Sequence, residues 1–350
     1  MERTVALVGA SHPAARALAV ALEADPRVDR VLGLSASEPP LLGPKFEYRQ
    51  TSTDQLAERV AGAAVVVVFP SLDAAARDAG AARVKAMETL RQVLAGVEAG
   101  VVDGRWRTEA VVLWSSAVVY GARADNRIGL REGDRLRPNP DFPAAGVLAD
   151  MEAQVLGLSP AARRVVLRAA PVWAPDWGTF TARWLQAPAL LGLSRHGPPV
   201  QALHPSDAAS ALALAVSADL DGVYNVGPTD WVPLSQAARL TGRRYLQLPA
   251  ALLKAGAERL AQFGLTGPPG ELDYLTRPWV VDPARLMAAG WAPSLTTPAA
   301  LGEAGSVRRD GIALGRLTVR RQDVYRTVGT ALATAALMNA VRRQVKRPRA

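Results

Sequence analysis

The sequence predicts an α/β fold: a doubly wound parallel sheet, followed by a smaller irregular lobe and an appended helical tail. Two patterns carry this expectation. Short β-branched runs recur through the first half, continuously apolar as strands buried on both faces must be. Between them lie alanine-rich stretches with apolar residues three or four apart, the spacing of one helix face. Strand–helix–strand alternation at these lengths is the sequence form of a Rossmann-like sheet with helices on both sides.

In chain order, Val5–Val8, Val28–Leu34, Ala64–Val68 and Val111–Trp114 read as strands, with helices over Ala14–Ala24, Asp54–Ala61 and Ala82–Glu98. The N-terminal apolar run is too short for a signal-peptide core and is taken as the first strand. Arg164–Arg168 and Gly222–Val226 read as further strands, and Ser206–Ser217 as a helix capped by Ser206. Proline and tryptophan cluster at 171–188, 228–233 and 268–298, the texture of an irregular lobe. The expected division is a nucleotide-binding domain over 1–170, to which 204–227 return. A smaller lobe takes 171–203 and 228–305, and the tail takes 306–350.

Composition narrows the function. The chain has 350 residues, 49% of them hydrophobic and 21% charged, which suits a globular protein. It has no cysteine, so disulfides, thiolate metal sites and cysteine nucleophiles are excluded, and a cytoplasmic location is expected. No metal-ligand spacing, P-loop or G-x-S-x-G elbow occurs, and no metal is expected. The net charge of +9 is uneven: residues 1–305 hold 30 basic and 30 acidic side chains, whereas 306–350 hold eleven basic against Asp310 and Asp323.

The first strand runs into Gly9-Ala10-Ser11-His12-Pro13-Ala14-Ala15, the layout of a dinucleotide loop. Such a loop needs glycines so that its backbone can turn sharply and approach a pyrophosphate at the helix N-terminus. Further on, Trp114-Ser115-Ser116-Ala117-Val118-Val119-Tyr120-Gly121 is closely similar to the fifth-strand signature of extended short-chain dehydrogenases/reductases, the NAD-dependent epimerase/dehydratase family. Pro138–Pro143, Val166–Arg168, His204–Asp207, Gly222–Val226 and Pro278–Asp282 resemble the same family, in the same order, over roughly 1–300.

The resemblance implies an NAD or NADP site and a catalytic tyrosine with a lysine four residues later. The tyrosine moves the substrate proton; the lysine lowers its pKa and holds the nicotinamide ribose. Here the tyrosine slot is Ala144 and the lysine slot is Leu148. No register repairs this: there is no tyrosine between Tyr120 and Tyr224, and no lysine between Lys85 and Lys254. Ser116 keeps the family's serine position without its partners.

The cofactor positions also depart from the pattern. The three glycine slots hold Gly9, His12 and Ala15, Ser35 stands where an acidic residue would meet the adenosine ribose, and Thr51 stands in the aspartate position near the adenine. Phe69-Pro70-Ser71 replaces small residues beside the cofactor. The cofactor-binding candidates are therefore Gly9, Ser11, His12 and Ser35, in a weakened site. Asp141, Asp150, Glu132, Asp134 and His204 are the groups considered as replacement acids or bases.

In the tail, residues 324–347 place apolar side chains three or four apart with arginines at the ends. This reads either as a helix packed on the body or on a second copy of the chain, or as a peripheral membrane contact. Without a base-reading module, nucleic acid is not an expected partner. Three functional expectations follow. The leading one is an epimerase-like protein without normal turnover that binds a nucleotide or small ligand. The second is an active NAD(P)-dependent epimerase/dehydratase or reductase with a non-standard acid/base, and the third is a scaffold brought to a membrane by its tail.

Overall fold

The computed structural model describes residues 3–40, 43–70, 72, 79–102, 108–159, 161–177, 179–187, 189–253, 255–256 and 270–306, with the backbone of 311–314 and 317–320. Its first half alternates β1 (Thr4–Val8), α1 (Pro13–Glu23), β2 (Arg30–Ser35), β3 (Phe46–Gln50), α2 (Leu56–Val60), β4 (Val65–Val68), α3 (Ala79–Val102) and β5 (Ala110–Ser116). It continues through α4 (Pro143–Leu156), β6 (Arg163–Ala169), α5 (Phe180–Gln186), β7 (Ala189–Gly192) and β8 (Pro199–Val200). Then come α6 (Pro205–Ser217), β9 (Gly222–Val226), β10 (Val232–Pro233), α7 (Leu234–Leu240) and β11 (Arg244–Gln247).

Seven of these strands form one parallel sheet in the order β3-β2-β1-β4-β5-β6-β9. The expected doubly wound architecture is thus present. The apolar runs resolve into two alternating sets, as the two-residue period of a strand requires. Val5, Leu7, Val65, Val67, Val112 and Leu167 face α1 and α6. Ala6, Val8, Val66, Val68, Val111 and Val166 face α2, α3 and α4. A strand covered on both sides has no polar position to spare, which is why its sequence shows no alternation.

β3 was not expected as a strand. It is the sheet edge, its residues Phe46-Glu47-Tyr48-Arg49-Gln50 are half-buried or exposed, and it lacks the apolar run that marks its neighbours. A second difference is the start of α6. Ser206 was expected to cap it, but the cap is His204, whose Nδ1 accepts from the Ser206 amide at 3.2 Å while Pro205 occupies the first turn. Proline suits that position because its missing N–H would be unpaired there anyway.

Beyond β5, aromatic side chains from several described segments pack together. Phe142, Phe180, Trp184, Tyr274 and Trp279 contact one another at ring separations of 4.9 to 5.9 Å. The Tyr274 hydroxyl donates to the Val118 carbonyl at 2.8 Å, and the Trp279 indole donates to the Tyr274 carbonyl at 2.9 Å. The proline- and tryptophan-rich texture of 171–188 and 268–298 is therefore an aromatic core. Beyond Ser306, Gly311–Leu314 and Leu317–Arg320 pair as two antiparallel strands. The amphipathic pattern at 324–347 lies outside the described residues. Among the described residues no helix is long and apolar enough to cross a membrane.

One polar cluster is sealed inside this fold. Glu152 on α4 and Arg168 on β6 pair at 2.7 Å, their side chains only 2% and 5% exposed. Ser115 donates to the other Glu152 oxygen at 2.5 Å. Arg168 also donates to the Tyr120 hydroxyl at 2.9 Å, and Tyr120 donates to Asn225 Oδ1 at 2.8 Å. Glu132 closes the cluster by accepting the Asn225 amide at 2.8 Å. Charges this deep persist only when paired and hydrogen-bonded; here all three Arg168 nitrogens donate and both Glu152 oxygens accept. Removing one partner strands the other. Arg168→Met is expected to cost about 3–5 kcal/mol in urea unfolding at pH 7, and the double variant Glu152→Leu/Arg168→Met to recover a large part of that loss. A double variant no more stable than the single one would refute this account of the pair.

Candidate functional site

In an open parallel sheet, ligands are held where the loops leave the carboxyl ends of the strands and part to opposite faces. This chain has a cavity of about 330 Å³ there, walled by residues that follow β1, β4, β5 and β6 and by α4 and the start of α5. His12 enters from the first loop, Pro70 and Leu72 follow β4, and Ser116 ends β5. Ala144 and Leu148 come from α4, and Trp177 and Phe180 close the opposite wall.

The first loop turns sharply at Gly9 before α1. Gly9 has φ +86°, and a Cβ there would stand 2.4 Å from the Phe69 carbonyl oxygen, so only glycine fits. His12 caps α1: its Nδ1 accepts from the Ala14 amide at 3.1 Å. Pro13 removes one first-turn donor, and His12 occupies another. The imidazole stacks on Phe69 at 5.7 Å and meets the edge of Trp177 at 6.4 Å. Burial between these rings, aided by the charge of Arg16, holds the His12 pKa down to about 4. With Nδ1 accepting, the neutral ring carries its proton on Nε2. Ser11 is exposed, and the Ser35 hydroxyl donates to the Ser37 carbonyl at 2.7 Å. Thr51 is buried, with its hydroxyl on the Arg49 carbonyl at 2.9 Å.

Ala144 and Leu148 lie one helical turn apart on α4 and both face the cavity. Ser116 lines the same cavity and accepts weakly from the Val118 amide at 3.4 Å. His12, Ser116, Ala144 and Leu148 thus share one chamber, which Gly9, Ser11 and Ser35 do not line. The candidate replacement groups lie elsewhere. Asp150 pairs with Arg83 at 2.6 Å, Asp134 with Arg127 at 2.9 Å, and His204 with Glu303 at 3.0 Å. Glu132 belongs to the buried cluster, and the exposed Asp141 lends its carbonyl to the Gly270 amide. Sequence reasoning missed Leu72, Trp177 and Phe180. Only the tryptophan–proline clustering of 171–188 marks that wall.

The polar groups of the wall are largely spoken for. Thr181 donates to the Val172 carbonyl at 2.7 Å and accepts from Thr179, which in turn accepts from the Ala182 amide. Ser115 is committed to Glu152. Among the described residues no group of histidine and carboxylate side chains is arranged to hold a metal.

Comparison with solved structures returns this fold over most of the chain. The human epimerase family protein SDR39U1 with NADPH superposes with a TM-score of 0.65 at 20% identity, covering 87% of this chain and 100% of that one. A UDP-glucose 4-epimerase from Thermotoga maritima with UDP-glucose gives 0.65 at 14% identity, covering 87% and 97%. MoeE5 in complex with UDP-glucuronic acid and NAD gives 0.63 at 18% identity, covering 85% and 96%. The fold is therefore that of the extended short-chain dehydrogenases. No family model matches the sequence. Uncharacterized proteins of Mycobacterium bovis and Mycobacterium tuberculosis are 28% identical over 194 residues. The aligned stretch spans about half the length of these curated relatives, 51%, and 53% of this chain.

The His12 pocket has a consequence for stability. Unfolded, this histidine titrates near 6.5; folded, near 4. Below pH 6.5 the unfolded chain takes up the proton first, so the contribution of His12 is full above 6.5 and lost as pH falls to about 4. Relative to His12→Asn, which retains a capping side chain, the wild type is expected to lose on the order of 1–3 kcal/mol between pH 7 and 4. Urea midpoints of both proteins across that range measure it, and a constant difference contradicts it.

Proposed function

We propose that this chain is a ligand-binding protein on an extended short-chain dehydrogenase fold, without the proton-transfer turnover of the epimerases it resembles in structure. The observation that carries this reading is the make-up of the cavity wall. Among the described residues, His12 is its one titratable side chain, and His12 is held neutral at pH 7. A methyl group at 144 and an isobutyl group at 148 neither donate nor accept protons, and loss of the general acid/base costs on the order of 10²–10⁴ in rate.

The same reading extends to the cofactor. When bound, a nicotinamide dinucleotide supplies hydride transfer; the residues here fit it poorly. Pro13 and the His12–Ala14 bond take up donors that a pyrophosphate would need, the His12 ring stands where backbone alone should approach, and Ser35 offers no carboxylate to a ribose. The tyrosine–lysine loss and the altered loop then belong to one change of use, from turnover to binding.

Titrating the full chain with NAD, NADP and their reduced forms tests this directly, since Trp114 and Trp177 line the cavity and report by fluorescence. Binding weaker than about 1 mM is expected for all four, with no epimerase or reductase turnover of UDP-sugars. His12→Gly is expected to strengthen dinucleotide binding by roughly tenfold, as one donor is freed and the ring removed. Micromolar NAD(P) binding with turnover in the wild type would overturn the proposal.

A further inference from the structure

The cavity wall also specifies what kind of molecule it suits. A nucleotide-sugar or dinucleotide brings phosphates and hydroxyls, which need cations and many hydrogen-bond partners. Among the described residues this wall offers no cation and few free hydrogen-bond partners. Its large faces are Trp114, Phe142, Trp177 and Phe180, joined by Leu72 and Leu148, and no arginine, lysine or carboxylate lines it among the described residues. An anion entering here would lose its hydration without compensation, a cost that neutral molecules avoid.

The few polar atoms add direction. Thr179, Thr181 and Ser115 already make hydrogen bonds within the protein. Among the described residues the His12 imidazole and the Ser116 hydroxyl keep donors unused within the protein, as do the indole N–H groups of Trp114 and Trp177. His12 carries its proton on Nε2 because Nδ1 accepts from Ala14, and the Ser116 hydroxyl only accepts, from Val118. Both line the cavity. Among the described residues the chamber thus presents flat aromatic walls and hydroxyl, imidazole and indole donors, with no compensating positive charge. Its volume of about 330 Å³ lies at the low end of small-molecule sites and suits a ligand of one or two fused rings.

We infer that the ligand is a neutral, ring-shaped apolar molecule bearing a carbonyl or ether oxygen, held between the aromatic walls with that oxygen on Ser116 or His12. This deepens the proposed binding function and rests on it. The chemistry is recognition alone: no bond is made or broken.

The test uses the full chain and four probes: 1-tetralone, a neutral bicyclic ketone; tetralin, the same rings without the oxygen; 1-naphthoate, the ring system as an anion; and UDP-glucose. Calorimetry and tryptophan fluorescence at pH 7.5 read the affinities. 1-Tetralone is expected to bind, with tetralin about tenfold weaker for want of the hydrogen bond and 1-naphthoate at least about tenfold weaker for its charge. Ser116→Ala is expected to reduce the preference for 1-tetralone over tetralin while leaving tetralin unchanged. Ala144→Phe, which fills the chamber, is expected to abolish both; where that variant unfolds by circular dichroism, Leu148→Phe replaces it.

Tighter binding of 1-naphthoate or UDP-glucose than of 1-tetralone overturns the inference, as does ketone binding that neither variant alters. Failure of this inference is distinct from failure of the broader reading. NAD(P)-dependent turnover sinks the binding-protein proposal whatever the ketone does, whereas a preference for the anion without turnover sinks only the ligand class.

Discussion

The buried ion pair between Glu152 and Arg168 is the constraint on which the carboxyl end of the sheet depends. It ties α4 to β6, reaches β5 through Ser115, and reaches β9 through Tyr120 and Asn225. Glu152 lies one turn beyond Leu148 and two beyond Ala144 on the same helical stripe. Setting the position of Glu152 therefore also sets the α4 wall of the cavity. Tyr120 is drawn wholly into the cluster: burial pushes its phenol up to about 12 against the opposing pull of Arg168, so it stays a neutral donor.

This arrangement separates polar chemistry from the chamber above it. The carboxylate, guanidinium and phenol of the region are consumed in a closed hydrogen-bond cluster within the fold, and the chamber keeps aromatic and aliphatic faces. A second aromatic group, from Phe142 to Trp279, contributes Phe142 and Phe180 to those faces and anchors to the loop after β5 through Tyr274. The cavity is shaped by two neighbours of opposite character, one polar and sealed, the other apolar. His12 bridges the remaining side, where the first loop, Phe69 and Trp177 meet.

How far this was legible in the sequence follows from where the information lies. The strands β1, β4, β5 and β6 were readable because burial on both faces leaves continuous apolar runs. The edge strand β3 was not, because half-buried Glu47 and exposed Arg49 carry no periodic signal. The α6 cap was placed two residues late, since a histidine before Pro205 is a rarer cap than the serine beside it. The Glu152–Arg168 pair was invisible: the two residues sit 16 positions apart in different elements, and nothing local marks either as a partner. Trp177 was seen as part of a compositional cluster, not as a wall facing His12.

By itself the sequence determined the doubly wound sheet and the absence of a tyrosine–lysine pair, because both depend on local pattern and on residue types missing from a whole stretch. It also showed that His12 and Pro13 stand in the first loop, but not what they do there. Only the tertiary structure decided that His12 caps α1 and is held neutral between two aromatic rings, and that Ala144 and Leu148 face a chamber lined with aromatic side chains. Burial, hydrogen-bond partners and the company of distant side chains exist only after the chain has folded, and a site's chemistry is set by those.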